Sequence, residues 1–240
     1  MDSNRTRRIV VAGMMSAITV LLSFTPLGLV PWVAGVSLTI LTVPAIIGAV
    51  LEGPEVGLGI GLVFGLSSLL QAAIAPRSPS DILFINPMVS VLPRLFIGPV
   101  AWAAYRALQK LQESVAWSAV GLIVAVVAIV AALNRFSALA FRWWPLVGLS
   151  VFALGCWVAY EAGRRPKETW VLIATGAVGS LTNTVLVLSV LGVLGILPWA
   201  AIGPIVLANG VPEAIAAAIL TSAIVSAWKR IETSQRGSSV

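Results

Sequence analysis

Long apolar runs, separated by short polar and basic stretches, recur along the whole chain. A helix needs about 20 residues to cross the hydrocarbon core of a bilayer. The runs show no strict alternation of apolar and polar positions, so they predict helices and not the strands of a barrel. The predicted spans are residues 9–25, 35–52, 55–75, 85–108, 115–133, 143–161, 169–195 and 202–228. We therefore expect an all-α, polytopic transmembrane helical bundle of about eight spans.

Composition supports a lipid environment. Of the 240 residues, 59% are hydrophobic and only 10% are charged, and the mean hydropathy is +1.01. A soluble domain carries about 25% charged residues. A globule of 25.0 kDa cannot hide this much apolar surface, because much of a small fold faces its solvent.

The net charge of +6 does not indicate a nucleic-acid partner, since the basic residues form short clusters between apolar runs and no continuous patch. Eight spans put both termini on one side of the membrane. That side receives eleven basic residues: Arg5, Arg7, Arg8, Arg106, Lys110, Arg164, Arg165, Lys167, Lys229, Arg230 and Arg236. The other side receives three: Arg77, Arg135 and Arg142. The positive-inside rule then predicts a multi-pass protein of the cell membrane with both termini cytoplasmic.

The sequence lacks the residues that several classes of chemistry require. The sequence has no histidine and one cysteine, Cys156, so it offers no Ser-His triad, disulfide framework or cysteine-based metal site. No paired carboxylates or Ser-Lys dyad stand out, and we expect no catalytic residue, metal or cofactor. The glycine run of the third span lacks the Gly-Lys-Ser/Thr ending of a phosphate loop. At helical spacing, Gly57, Gly61 and Gly65 instead share one face and predict close helix packing.

Two pairs of small residues lie four apart in the first span. They are Ala12 with Ser16 and Gly13 with Ala17. Such pairs allow helices to approach closely. They are consistent either with packing inside the bundle or with a flat face for another membrane subunit.

Two ionisable residues, Arg94 and Glu213, fall in the middle of predicted spans, and two amides, Asn183 and Asn209, also lie within spans. An ionisable group at bilayer depth costs about 3 kcal/mol on insertion scales. Helical rise puts Arg94 and Asn209 roughly 10–14 Å below the outer boundary and Asn183 about 15–18 Å below it. Glu213 lies one turn deeper than Asn209 on the same helix face. We therefore expect side chains from three helices to meet at about one level.

A buried ion pair between Arg94 and Glu213, joining two helices, is one interpretation. A binding site is the other, because the amides and Thr184 add hydrogen-bonding capacity that an ion pair does not need. A guanidinium suits a carboxylate, which it binds with two parallel hydrogen bonds. Gln71 and Asn86 lie nearer the outer surface, where they form either the mouth of a cavity or part of a solvated loop.

The order and spacing of these stretches resemble a known family. The matching stretches are residues 12–29, 43–54, 61–67, 86–94, 179–184 and 209–229. The chain resembles the S components of energy-coupling factor (ECF) transporters, and is most similar to their pantothenate and folate-like branch. This resemblance implies a subunit that captures a vitamin-like ligand, such as pantothenate, from outside.

The resemblance also implies partners. An S component associates with a transmembrane coupling protein and two cytoplasmic ATPase subunits, which agrees with the missing ATPase motif here. The small face at Ala12, Gly13, Ser16 and Ala17 would meet the coupling protein. The ligand site of the family lies in the outer half of the bundle, as expected for Arg94 from its depth.

One departure from the family is large. S components usually have six spans, whereas residues 111–166 here predict an inserted two-helix hairpin within a core formed by 1–110 and 167–240. The closest alternative function is a stand-alone secondary transporter in which Glu213 carries a proton. Inverted internal symmetry, which many such transporters show, is not evident in the sequence.

Overall fold

The computed structural model describes residues 3–31, 37–76, 79–111 and 167–237. The helices are α1 (Ser3–Phe24), α2 (Thr42–Glu52), α3 (Pro54–Ile74), α4 (Pro87–Ser90), α5 (Leu92–Leu111), α6 (Lys167–Val193), α7 (Trp199–Ile205) and α8 (Val211–Gly237). A 3-10 helix, Pro79–Ile85, precedes α4, and a π-helical segment, Val206–Gly210, joins α7 to α8. Two three-residue strands, β1 (Leu29–Pro31) and β2 (Ser37–Thr39), pair antiparallel. Apart from this strand pair, the regular structure of the described chain is helical.

Five helical stretches in the described part are long and apolar enough to cross a membrane. They are Arg5–Phe24, Pro54–Ile74, Pro87–Lys110, Glu168–Val193 and Trp199–Ser234. Each overlaps a predicted span, so five of the eight predictions are confirmed as long apolar helices. The predicted spans 115–133 and 143–161 lie outside the described residues, and the count of eight stays a prediction.

The second predicted span, 35–52, was wrong in its first part. Its helix, α2, begins only at Thr42 and has 11 residues, because Ser37–Thr39 forms strand β2 instead. A helix of that length reaches only about 17 Å. Every residue of α2 from Thr42 to Val50 is buried, and the helix packs against α1, α3 and α8. Short or irregular backbone is tolerated at membrane depth where protein surrounds it.

The glycine face of α3 is confirmed as a packing face. A Cβ added at Gly57 would lie 2.8 Å from Cα of Gly98 on α5, and one added at Gly65 would lie 2.7 Å from Cα of Val91. A Cβ at Gly61 would overlap the carbonyl oxygen of Arg94. Only hydrogen in place of a side chain lets the two backbones approach this closely. The glycines therefore fix α5, and with it Arg94, against α3.

Ion pairs join three parts of the bundle at the N-terminal end of α1. Arg7 donates from Nε to Glu52 at 2.7 Å and lies 2.9 Å from Glu232 through Nη2. Arg8 pairs with Glu55 at 2.7 Å. We call these five residues the ionic network. They tie α1 to the α2–α3 turn and to the C-terminal part of α8.

The chain divides into two compact units. One comprises Met1–Tyr105 and Leu172–Val240, and the other Arg106–Val171. Within the second unit the structure describes only the C-terminal end of α5 and the N-terminal end of α6. The predicted hairpin at 111–166 falls almost entirely outside the described residues and stays a prediction.

Candidate functional site

The side chain of Arg94 is buried at the start of α5, with 5% of the residue exposed. Its Nη1 donates hydrogen bonds to the carbonyl oxygens of Val89 at 3.1 Å and Ser90 at 2.5 Å. These carbonyls lack ordinary helical partners: Pro93 has no N–H to offer Val89, and the Arg94 N–H bonds to Val91 instead. The guanidinium thus supplies the hydrogen bonds that these two carbonyls lack at the break between α4 and α5.

Aromatic rings contact the same guanidinium. Its Cζ lies 4.7 Å from the ring centroid of Phe64 on α3 and 5.0 Å from that of Phe84 in the 3-10 helix. Its Nε is buried and has no hydrogen-bond partner among the described residues. Within 3–31, 37–76, 79–111 and 167–237, no carboxylate forms an ion pair with Arg94. The rings and the carbonyl oxygens therefore contact the charge directly, and Glu213 acts on it electrostatically without forming an ion pair.

Glu213 lies in the first turn of α8 and is 6% exposed. Its Oε1 accepts a hydrogen bond from the backbone N–H of Thr39 at 2.8 Å, and its Oε2 accepts one from the Thr184 hydroxyl at 3.0 Å. The direct Arg94–Glu213 ion pair considered from the sequence is not formed. Instead the carboxylate joins α8 to α6 and to the end of β2. It satisfies a strand N–H that lipid could not.

Asn209 lies at the junction of α7 and α8. The π-helical segment Val206–Gly210 lies between Pro204 and Pro212, neither of which has the N–H that a regular helix uses. Asn209 is buried in this segment. A Cβ on Gly210 would lie 3.2 Å from Cγ2 of Thr184, so the glycine allows α8 to approach α6 beside Glu213.

Asn183 and Thr184 lie together on the buried face of α6. Within the described part of the chain, the buried Oδ1 atom of Asn183 has no hydrogen-bond partner, and the same holds for Oγ of Ser180, one turn earlier. Buried polar atoms are normally satisfied. Two unsatisfied oxygens on adjacent turns therefore indicate a place where a bound molecule or water would donate hydrogen bonds.

An apolar cluster closes the end of the bundle beyond these polar groups. Its buried members are Val89, Val187, Leu188 and Leu191, against which Leu83, Phe84, Val190, Leu197, Ile202, Ile205 and Val206 pack. We call this set the apolar cap. Arg94 contacts the cap through Phe84 and Val89, while Asn183 and Asn209 each lie within about one turn, 5.4 Å of rise, of a cap residue. The structure thus brings three predicted site residues to the same end of the bundle.

The two residues predicted at the mouth of the site differ in burial and in hydrogen bonding. Gln71 is buried on α3, and its Nε2 has no partner. It lies two turns, about 10 Å, beyond Phe64. Asn86 is exposed and its Oδ1 accepts from Met88 N at 2.9 Å, so it caps α4. The Nε2 group of Gln71 can still donate hydrogen bonds, whereas Oδ1 of Asn86 already caps α4.

The small residues of α1 lie on its less buried side. Gly13 and Ala17 are exposed, and a Cβ at Gly13 would meet nothing within 4 Å. Ala12 and Ser16 are half-buried. Bundle packing therefore does not account for the Gly13–Ala17 pair in the described structure.

The sequence matches the family described as ECF transporter, substrate-specific component, over residues 7–149. The chain belongs to this family. With five apolar helices long enough to cross a membrane in its described part, it is a multi-pass membrane protein. The match includes Arg94 and the small residues of α1, while Asn183 and Asn209 lie beyond it.

One curated relative is the pantothenate transporter PanT of Leuconostoc mesenteroides subsp. mesenteroides. It is 32% identical over 111 residues, which are 44% of this chain and 53% of the relative. The chain thus spans about half the length of the curated relative it matches.

Proposed function

We propose that this chain is the substrate-binding subunit of an ATP-driven ECF importer and captures a vitamin-like carboxylate, such as pantothenate, from outside the cell. The observation that carries the proposal is the buried Arg94 guanidinium, which has no carboxylate partner in the described residues. Glu213 acts on this charge electrostatically, but its two oxygens are bonded to Thr39 and Thr184, and burying a charge costs several kcal/mol. A ligand carboxylate would offset that cost through charge-assisted hydrogen bonds. The printed name of the Leuconostoc relative supports pantothenate as the first ligand to test.

The remaining site residues contact the rest of the ligand in this proposal. Amide and hydroxyl groups suit the hydroxyl and amide groups of a vitamin, because they both donate and accept hydrogen bonds. The amide and hydroxyl residues are Gln71, Asn183, Thr184 and Asn209, with Asn86 at the mouth, and the Glu213 carboxylate would only accept hydrogen bonds.

The proposal includes partners and orientation. Family membership supports a transmembrane coupling protein and two cytoplasmic ATPases as partners. The distribution of basic residues supports cytoplasmic termini. The six-helix core with a hairpin inserted at 111–166 is part of the same proposal.

Uptake measurements test the proposed energy source. We expect proteoliposomes to accumulate labelled pantothenate only when the chain is reconstituted with an ECF coupling module and supplied with ATP. Uptake by the isolated chain under a proton gradient, lost in Glu213→Gln, would instead support a secondary transporter. Mass spectrometry of molecules that co-purify with the chain gives an independent reading of the ligand class.

Larger side chains at Gly13 and Ala17 test whether this face of α1 contacts the coupling protein. Gly13→Leu and Ala17→Leu should leave pantothenate affinity unchanged, since neither residue contacts the site. We expect uptake with the module to fall about tenfold or more, because close helix contact needs small side chains. Gly59→Leu is the matched control, since a Cβ at Gly59 also meets nothing within 4 Å. Normal uptake by both α1 variants would reject this face as the partner surface.

A further inference from the structure

The guanidinium of Arg94 lies over aromatic rings from two different elements. Phe64 on α3 is fully buried, while Phe84 belongs to the 3-10 helix Pro79–Ile85 and is half-buried. Both ring centroids, at 4.7 and 5.0 Å from Cζ, are within the roughly 6 Å over which a cation is attracted to a ring face. A carboxylate would approach Arg94 in the plane of the guanidinium, because all of its N–H donors lie in that plane.

One edge of that plane is already occupied. Nη1 carries two protons, and it donates to the carbonyls of Val89 and Ser90. Nε is buried without a partner. Nε–H and one proton of Nη2 point in parallel on the side away from Nη1, which is the arrangement that binds both oxygens of a carboxylate.

We propose that Phe64 and Phe84 are positioning residues, which together with the Val89 and Ser90 carbonyls hold Arg94 so that its Nε–Nη2 edge selects a carboxylate. This inference rests on the proposed function and adds how selectivity arises. The rings act through Arg94 and need not contact the carboxylate.

The requirement is for an aromatic face and not merely for bulk. Leucine would fill most of the space of Phe84 but has no ring face to attract the cation. Without that face the guanidinium keeps its Nη1 hydrogen bonds and the Phe64 ring, but no ring attracts it from the Phe84 side, so its plane is free to tilt. A tilted guanidinium can form only one of the two parallel hydrogen bonds to the ligand carboxylate. Binding energy from the carboxylate is then lost, while contacts to the rest of the ligand remain.

Two probes separate these contributions. Pantothenate carries the carboxylate, and pantothenol has a CH2OH group in its place. We would measure both affinities by calorimetry on the full chain in detergent, for wild type, Phe84→Leu and Phe84→Tyr. Wild type should prefer pantothenate. Phe84→Leu should weaken pantothenate about tenfold and pantothenol by less than about threefold, whereas Phe84→Tyr should retain the wild-type preference.

Phe84 is the better test position because it is half-buried, whereas replacing the fully buried Phe64 would also leave a cavity. Ile82→Leu, at an exposed position of the same 3-10 helix, is the matched control and should change neither affinity. Equal loss for both probes in Phe84→Leu, no loss for either, or loss of preference in Phe84→Tyr would overturn the inference. A wild-type chain that does not prefer pantothenate would overturn the proposed function, and the inference with it.

Discussion

Replacing Arg94 with alanine is expected to abolish pantothenate binding while the protein still inserts and remains monodisperse. Removing one partner of a buried, hydrogen-bonded charge pair costs about 2–5 kcal/mol or more, which predicts an affinity loss of roughly 30-fold to several thousandfold. The protein should still insert because its long apolar helices do not depend on this side chain, although the carbonyls of Val89 and Ser90 lose their donor. Calorimetry with pantothenate and size-exclusion chromatography measure the two effects.

Two further variants make the Arg94 result specific. Arg94→Lys keeps the charge but not the planar fork, so it should bind pantothenate more weakly than wild type and better than alanine. Arg8→Ala removes an arginine whose Glu55 partner is largely exposed, and an exposed pair contributes at most about 1 kcal/mol. It should leave binding intact. Unchanged pantothenate affinity in Arg94→Ala would show that Arg94 only donates hydrogen bonds to the backbone carbonyls between α4 and α5.

Gly61→Leu is expected to destabilise the whole bundle. The added side chain would push against the α5 backbone at Arg94, which cannot rotate away as a side chain can. Overpacking typically costs 1–3 kcal/mol and sometimes more, and about 3 kcal/mol corresponds to a Tm lower by roughly 6–12 °C. Thermal unfolding followed by size-exclusion chromatography gives the value.

The control lies on the same helix. Gly59→Leu adds an identical side chain two residues away, where a Cβ meets no neighbour, and Tm should stay within about 2 °C of wild type. Equal destabilisation by both variants would mean that loss of a glycine from α3, and not contact with α5, is responsible. Because Gly61 supports Arg94, surviving Gly61→Leu protein should also bind pantothenate poorly.

Hydropathy and spacing predicted those parts of the fold that depend on one segment at a time. The long helices α3 and α6 are apolar over most of their length, and the glycines of α3 repeat every four residues, so the packing face of α3 was visible in the sequence. Arg94 and Glu213 were found because charge inside an apolar run is costly.

Contacts between distant segments could not be predicted in the same way. Strand β2 replaces the start of the second predicted span, and its Thr39 N–H is satisfied by Glu213, 174 residues later. Similarly, nothing in the sequence around Phe64 or Phe84 indicates that both rings cover one guanidinium. A local signal did exist for Arg94, since the preceding Pro93 leaves a carbonyl without its donor.

The ionic network and the apolar cap lie at opposite ends of α8, since Val206 precedes that helix and Glu232 lies near its end. One end is held by charged pairs, including the nearly buried side chain of Glu52. The other is held by hydrocarbon contacts, which lipid tails can replace at small cost because they are equally apolar. The bundle therefore has unequal stiffness along its length, and thermal motion should separate the helices first at the end where Arg94 lies.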